Sequence, residues 1–153
     1  MAYEQIKLQN QLCFRLYAAS RLITQAYEPF LRPLGITYTQ YLVLMVLWEQ
    51  DEQPVNDIGK RLLLGVNTTS PLIKRMEAQG LLSRREGTND KRQQIVFLTP
   101  KGKALRDEAA NIPHCMANDL KACNIDTTQL SEMVPILDNL IRNLAGKGER
   151  VKK

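Results

Sequence analysis

The sequence lacks the features that define several large classes of protein. It contains three cysteines, an odd number, and a single histidine among 153 residues. Cys13, Cys115 and Cys123 do not make the paired framework of a small secreted protein. No two of them have the close spacing of zinc ligands, so we expect neither a metal nor any other cofactor.

Long apolar segments are also absent. No hydrophobic run approaches the roughly 20 residues that a helix needs to cross a bilayer. The first residues include Glu4 and Lys7 rather than a charged and then apolar leader pattern. We therefore expect a cytoplasmic protein that contacts no membrane. A hydrophobic share of 44% and a charged share of 24% are ordinary for one folded domain.

The centre of the chain has the pattern of a helix-turn-helix. Apolar residues four apart predict a short helix over 55–62, and Gly65 predicts a turn. A second helix is predicted over 66–79, with the polar residues 67–70 as caps of its start and Pro71 in its first turn. Two helices joined by a short turn with glycine, the second of them polar on one face, are typical of this motif.

The segment that follows predicts a β-wing. Short extended runs at 81–86 and 93–98 flank a stretch rich in turn residues, with residues 90–92 at its tip. Together with the two helices, this hairpin predicts a winged helix-turn-helix. The fold class expected is mainly α with a small β-wing.

Positive charge is concentrated on this part of the chain. Residues 60–92 carry eight basic and three acidic side chains, a net charge of +5 that equals the formal charge of the whole chain. Such a basic module is typical of proteins that bind duplex DNA. We predict that DNA is contacted by Asn67, Thr68, Thr69, Ser70, Lys74, Arg75, Asp90, Lys91 and Arg92.

Helices are predicted on both sides of the module. One long helix is predicted over 4–31, and a helix apolar nearly all round is predicted over 38–49, before a loop at 51–54. After the wing, a helix opens at Thr99, and Pro113 predicts a kink or a break in it.

The last predicted helix begins near Asp126 and carries a seven-residue apolar repeat, which requires a partner helix. We divide the single domain, 1–153, into dimerisation helices at 4–35 and 100–146 and a DNA-binding module at 36–98. A homodimer would place two recognition helices on palindromic DNA. The alternative is a monomer whose terminal helices pack only on its own core.

Several segments carry a resemblance to a known family. They are Gln11-Leu-Cys-Phe14, Tyr17, Tyr27, the stretch from Gly35 to Tyr41, Pro71 to Glu77 with Gly80-Leu81, and Asp90-Lys-Arg92. With them the sequence resembles the MarR family of dimeric winged-helix repressors, and within it the organic hydroperoxide resistance regulators. The wing tip is common to the family, whereas the Leu-Cys-Phe segment with Tyr27 and Tyr38 is more specific and indicates the thiol-sensing branch. Residues 65–70 depart from the usual Asp-Ser-Gly-Thr-Leu-Thr, which bears on the operator sequence.

The resemblance implies a function and a set of sensing residues. It implies a repressor that leaves its operator DNA when an organic hydroperoxide oxidises Cys13. It also implies that Tyr27 and Tyr38 of the partner subunit hydrogen-bond to this cysteine. Tyr17 lies four residues after Cys13 and hence on the same helix face. Cys123 or Cys115 would resolve the oxidised thiol, and Cys123, near a predicted helix end, is preferred.

Two other functions remain open on the residues alone. The first is a MarR-type repressor released by a small aromatic ligand, with Cys13 only lining the pocket. The second is a thiol peroxidase. A peroxidase has no need of a basic recognition helix and wing, so we expect no enzymatic activity and assign no catalytic residue.

Overall fold

The structure is a computed structural model that describes residues 3–150, with side chains to residue 147. The prediction of one helix over 4–31 is wrong. Two single 3-10 turns, Glu4–Ile6 and Leu8–Asn10, precede α1 (Leu12–Ala26), which is followed by α2 (Glu28–Leu31) and a 3-10 turn at Arg32–Leu34.

Two local causes interrupt the predicted N-terminal helix. The side-chain amide of Asn10 donates to the carbonyl of Glu4 at 2.8 Å, and that of Gln11 donates to the carbonyl of Gln5 at 2.7 Å. These bonds compete with the helical hydrogen bonds of the backbone. Further on, Pro29 has no N–H, and its ring would collide with the carbonyl four residues earlier. The helix therefore ends before Tyr27 and restarts at Glu28.

The central elements confirm the predicted winged helix-turn-helix. They are α3 (Tyr38–Glu49), β1 (Gln53–Pro54), α4 (Val55–Arg61), α5 (Val66–Ala78), β2 (Leu82–Glu86) and β3 (Gln94–Leu98). The strands form an antiparallel sheet of order β1-β3-β2, in which Arg84 faces Val96. The predicted loop at 51–54 is wrong in part, because β1 pairs with β3. A strand of two residues is too short to show an alternating pattern.

The predicted start of α5 is confirmed, whereas its predicted caps and the predicted position of Pro71 are wrong. The helix begins at Val66, and Gly65 is the residue before it. The backbone N–H groups of Thr68 and Thr69 donate to the carbonyl of Gly65 at 3.0 and 2.9 Å, so these residues form the first turn instead of capping it. Pro71 consequently lies in the second turn, inside the helix.

Four helices follow the wing: α6 (Pro100–Ala109), α7 (Ile112–Ala122), α8 (Thr127–Glu132) and α9 (Val134–Arg150). The hydroxyl of Thr99 accepts the N–H of Gly102 at 3.1 Å, which confirms the predicted cap of α6. The break before Pro113 is confirmed as well. The single last helix is wrong, because α8 ends at Glu132 and Pro135 permits only a new first turn.

The hydrophobic core lies around α3. It includes Leu44 and Leu47 of α3, Ile58 of α4, Ile73 of α5 and Val96 of β3, each no more than 1% exposed. No residue of α1 is buried, although the structure describes the whole of that helix. Apolar side chains on α1 and α9 are exposed instead, among them Leu12, Phe14, Leu22, Ile136, Ile141 and Leu144. The central module thus holds the core of the single chain, while the terminal helices keep uncovered apolar faces.

Within residues 3–150, no single helix is both long and apolar enough to cross a membrane. A bent pair, 12–34 with 38–49, meets these criteria on length and composition, and its second member is the core helix α3.

Candidate nucleic-acid interface and thiol site

The recognition helix α5 has one buried and one polar face. Leu72, Ile73 and Met76 are at most 3% exposed and pack against the rest of the module. Five of the six DNA contacts predicted on this helix are exposed, namely Asn67, Thr68, Ser70, Lys74 and Arg75. The face opposite the core therefore presents amide, hydroxyl and cationic groups, which are those that contact bases and phosphates.

Thr69 corrects the predicted set of DNA contacts. It is only 2% exposed, and its hydroxyl donates to the carbonyl of Gly65 at 2.9 Å. A Cβ on Gly59 of α4 would lie 2.8 Å from the Thr69 hydroxyl oxygen. Thr69 is thus enclosed in a contact between α4 and α5, and it positions the recognition helix instead of reaching DNA.

The wing tip is built on Asp90. One of its carboxylate oxygens accepts the backbone N–H of Arg92 at 2.9 Å, and its carbonyl accepts the N–H of Gln93 at 3.0 Å. The side chains of Lys91 and Arg92 are exposed beyond this turn. Asp90 therefore holds the backbone that presents the two cations.

Ion pairs divide the eight basic residues of the module into two groups. Lys60, Arg61, Arg84 and Arg85 pair with Asp57, Glu49, Glu77 and Glu52, respectively. Lys74, Arg75, Lys91 and Arg92 have no carboxylate partner among the residues described. The unneutralised charge thus lies on the recognition helix and at the wing tip.

A polar cavity of about 200 Å³ separates the recognition helix from the wing. Ser70 of α5, Asn56 of α4 and three wing residues, Arg84, Arg92 and Gln94, line it. Polar side chains thus line the space between the two predicted DNA-contacting elements.

Cys13 lies on the exposed face of α1. The thiol is exposed, and Tyr17, one turn later, is 57% exposed. The phenol oxygen of Tyr17 accepts a hydrogen bond from Arg21 at 3.1 Å, with the guanidinium 5.7 Å from the centre of the ring. Arg15 instead donates to the backbone carbonyl of Gln11 at 3.1 Å. Because Arg21 already donates to the phenol oxygen, the hydroxyl proton of Tyr17 is available to another acceptor.

The other two predicted sensing tyrosines form a cluster at the far end of α1. The rings of Tyr27 and Tyr38 are 4.9 Å apart, and Tyr41 lies 6.2 Å from Tyr27. Burial raises the pKa of Tyr38 above its ordinary value, and the nearby Tyr27 raises it further. At neutral pH the Tyr38 hydroxyl therefore keeps its proton and can donate it in a hydrogen bond.

The fold of one chain separates Cys13 from this cluster. Cys13 lies in the first turn of α1, and Tyr27 directly follows its last residue. At about 1.5 Å per residue, the helix places them roughly 20 Å apart along its axis. Tyr17 thus belongs to the thiol end of the helix, while Tyr27 and Tyr38 lie at the opposite end.

The two remaining cysteines differ in their surroundings. Cys123 is exposed and follows the last residue of α7. Cys115 lies inside α7 and is partly buried, with the amide of Asn111 donating to its sulfur at 3.5 Å. Cys123 is therefore the more accessible thiol.

Sequence reasoning missed two polar links of the recognition helix. The sequence indicates Arg84 only as a positive charge, yet this residue is bonded to Glu77 of α5. Gln40 falls in a helix predicted to be apolar, yet its amide reaches Gln79 at 2.9 Å. A lone Gln inside an apolar run is the only local signal of the second link, and the first has none.

Comparison with known proteins supports the same reading of the fold. Residues 36–93 match the MarR family. The chain is 41% identical to the organic hydroperoxide resistance transcriptional regulator of Bacillus subtilis, over 90% of this chain and 95% of that protein. The chain belongs to the MarR family. The predicted resemblance to this family and to its organic hydroperoxide regulators is thereby confirmed, and this relative is a transcriptional regulator.

Solved structures of AbfR from Staphylococcus epidermidis resemble this MarR-family chain as well. Reduced AbfR bound to DNA has a TM-score of 0.75 at 39% identity, and the match covers 94% of this chain and 96% of AbfR. Disulfide-formed AbfR has a TM-score of 0.58 at 40% identity, with 90% and 95% covered. At nearly equal identity, the chain is closer in conformation to reduced, DNA-bound AbfR than to disulfide-formed AbfR.

Proposed function

We propose that this protein is a homodimeric repressor that binds palindromic operator DNA while Cys13 is reduced and leaves it when an organic hydroperoxide oxidises Cys13. One observation carries the proposal. An exposed thiol and Tyr17 lie at one end of α1, and the Tyr27–Tyr38 pair lies at the other. A second copy that crosses α1 in the antiparallel direction would bring the two half-sites together.

The uncovered terminal helices support a dimer. Leu12 and Leu22 of α1 are 68% and 65% exposed, and Ile136 and Leu144 of α9 are 70% and 56% exposed. Such apolar area costs about 25 cal/mol per Å² to leave in water, so an association that buries it is favoured. Two-fold pairing would cover both faces and place Cys13 next to Tyr27 and Tyr38 of the partner subunit.

The proposed chemistry is a two-electron oxidation of the thiol. The Cys13 thiolate attacks the O–O bond of the hydroperoxide, an S–O bond forms, and the other oxygen leaves as an alcohol after taking up a proton. The sulfenic acid can then condense with the thiol of Cys123, which forms a disulfide and releases water. Apolar neighbours such as Leu12 and Phe14 favour an organic hydroperoxide over hydrogen peroxide.

The proposed DNA contacts include the basic residues of α5 and the wing tip that have no carboxylate partner among the residues described. The exposed face of α5 enters the major groove, where Lys74 and Arg75 contact phosphates, while Arg92 enters the minor groove from the wing. The resemblance of this conformation to reduced AbfR bound to DNA supports this state as the binding-competent one. A repressor must be in the same compartment as its operator DNA, so we include a cytoplasmic location in the proposal.

The proposed switch has to weaken operator binding by a defined amount. A change from 99% bound to 99% free requires that oxidation weaken binding by about 5.5 kcal/mol. If oxidation misaligns the recognition helices, several phosphate contacts per half-site are lost together. Each charge-assisted hydrogen bond contributes about 1.5–3 kcal/mol, so the loss of several is enough.

The test is operator binding by fluorescence anisotropy, with and without stoichiometric cumene hydroperoxide. Wild type should release DNA, whereas Cys13→Ser should bind operator normally and ignore the peroxide. If the peroxide still releases Cys13→Ser from operator DNA, Cys13 is not the sensor. Affinity should also fall steeply between low and moderate salt, and a flat response would contradict phosphate-mediated binding.

A second candidate function is release by a small aromatic ligand. A cavity of about 410 Å³ lies between the end of α1 and the start of α3, lined in part by Leu31, Ile36 and Tyr38. In that case Cys13→Ser would still respond to an aromatic acid, and peroxide would have no effect on wild type. A thiol peroxidase would turn over repeatedly with a reductant, whereas we expect one peroxide consumed per subunit.

A further inference from the structure

Gln40 of α3 is a buried polar residue with both ends of its amide engaged. The residue is 4% exposed. The amide oxygen accepts the backbone N–H of Thr37 at 3.0 Å, and the amide nitrogen donates to the side-chain oxygen of Gln79 at 2.9 Å. Because the N–H of Thr37 can only donate, the oxygen of Gln40 must face it, and the nitrogen must then face Gln79.

One end of this amide lies at the tyrosine cluster. Thr37 caps α3 and also accepts the N–H of Gln40, which completes a reciprocal capping box. Tyr38 is the first residue of α3, and its ring contacts that of Tyr27. A displacement of Tyr38 therefore moves the same helical turn whose cap depends on Gln40.

The other end of the amide lies at the recognition helix. Gln79 directly follows the last residue of α5, and its N–H donates to the carbonyl of Arg75 at 3.0 Å. Its own carbonyl accepts a bond from the Lys101 ammonium at 2.9 Å, and the hydroxyl of Thr99 donates to the carbonyl of Gly80 at 2.6 Å. The end of α5 is thus fixed to α6 by backbone acceptors and to α3 by the Gln40 side chain.

We propose that Gln40 is a positioning residue that couples the Tyr38 end of α3 to the orientation of the recognition helix, an inference that rests on the proposed function. When oxidation of Cys13 displaces Tyr38, the first turn of α3 shifts. Gln40 must then either follow that turn and pull on Gln79, or lose one of its two bonds. A buried amide left unbonded is costly, so the shift is transmitted to α5 instead of being absorbed.

Gln79 allows a test that leaves the core intact, because it is exposed while Gln40 is not. Gln79→Ala removes the acceptor, and Gln79→Glu keeps one. For each variant the operator Kd is measured before and after full oxidation of Cys13 by cumene hydroperoxide, and the rate of thiol loss is followed separately. The decisive quantity is the ratio of the oxidised to the reduced Kd.

For Gln79→Ala we expect an unchanged rate of thiol loss and a Kd ratio reduced roughly two- to tenfold, the equivalent of one hydrogen bond. Gln79→Glu should keep the wild-type ratio. If Gln79→Ala weakens binding equally in both states, the link is only structural and the coupling role is wrong. If oxidised wild type keeps its affinity, the proposed function fails, and the coupling role fails with it.

Discussion

Arg84 of β2 donates two hydrogen bonds to one carboxylate oxygen of Glu77 on α5, from Nε at 3.0 Å and from Nη2 at 2.7 Å. Both side chains are about one third exposed or less. This pair ties the first strand of the wing to the recognition helix. The hydrogen bonds and the charge of Arg84 hold the pKa of Glu77 below its ordinary value, against burial, which raises it.

The first prediction concerns acid stability. Because the folded pKa of Glu77 is lower than the unfolded one, its contribution is complete above the unfolded pKa of about 4.3 and is lost as pH falls through the folded value. Glu77→Gln should therefore be less stable than wild type at pH 7, by about 1 kcal/mol after allowance for partial exposure.

Denaturant unfolding at several pH values measures this difference. The gap between wild type and Glu77→Gln should be constant from pH 7 to roughly pH 5.5 and close below about pH 4.5. Glu86→Gln, which changes an exposed carboxylate at the end of the same strand, is the matched control. A gap that persists unchanged at low pH would rule out the ion pair as its cause.

Local signals explain which elements were predictable. The apolar run of α3 and the two wing strands were predicted to within one residue, because apolar spacing and turn residues are read within a short window. Thr69 was assigned as a cap of α5 because it is polar, and a polar residue near a helix start is typical of an exposed cap. Its burial depends on the close approach of Gly59, ten residues earlier, which no periodicity reveals.

The second prediction concerns Arg92 at the wing tip. A narrow minor groove concentrates negative potential, and a guanidinium is well suited to it. Arg92→Ala should weaken operator binding by about 1–3 kcal/mol, as measured by fluorescence anisotropy. If Arg92→Ala keeps wild-type affinity while Lys74→Ala loses affinity, the placement of Arg92 in the minor groove is wrong.

Asp90 provides a matched pair of variants for the same surface. Its carboxylate oxygen accepts the Arg92 N–H at 2.9 Å, a role that an Asn oxygen can also fill. Asp90→Asn should therefore bind operator nearly as well as wild type, whereas Asp90→Ala should lose affinity in the same direction as Arg92→Ala. Equal affinities for the two Asp90 variants would show that this hydrogen bond does not position Arg92.

The third prediction concerns the contact between α4 and α5. A Cβ on Gly59 would lie 2.8 Å from the Thr69 hydroxyl oxygen and 3.2 Å from the Leu64 carbonyl. Gly59→Ala should lower the free energy of unfolding by about 1–2 kcal/mol, since overpacking costs about 1–3 kcal/mol and the gain of Ala over Gly in a helix is smaller.

Two variants separate crowding from helix propensity at Gly59. Gly146 lies in α9, and a Cβ added there would meet no atom within 4 Å, so Gly146→Ala should be neutral or slightly stabilising. Combining Gly59→Ala with Thr69→Ala should cost less than the sum of the single changes, because the second makes room for the first. Strict additivity would show that the two residues do not compete for space.

The surroundings of Cys13 could be predicted from the sequence only in part. Cys13 and its spacing to Tyr17 are evident in the sequence, but its relation to Tyr27 and Tyr38 is not a property of the single chain. Roughly 20 Å of α1 separates Cys13 from Tyr27 in one chain, so the proposed contact requires a second copy. The segment 4–35 was predicted to dimerise, and the exposure of the apolar residues of α1 in one chain supports that proposal.

The last prediction identifies the resolving cysteine. A disulfide requires the two sulfurs to come within about 2 Å, so the partner thiol of Cys13 must be able to leave its surroundings. Cys123 is exposed at the end of α7, next to Asn124, whose φ of 59° marks a sharp change in chain direction. Cys115 is held inside the helix and bonded to Asn111. Moving Cys115 would distort α7, whereas moving Cys123 changes only its end.

After stoichiometric cumene hydroperoxide, wild type and Cys115→Ser should therefore form an inter-subunit crosslink on a non-reducing gel, and Cys123→Ser should not. Mass spectrometry of Cys123→Ser should show Cys13 as sulfenic acid, or as a mixed disulfide when a small thiol is added, because oxidation proceeds without its resolving partner. If Cys115→Ser loses the crosslink and Cys123→Ser keeps it, the choice of resolving residue is wrong while Cys13 remains the sensor. If both variants keep the crosslink, neither Cys115 nor Cys123 is required by itself, and the preference for Cys123 is wrong.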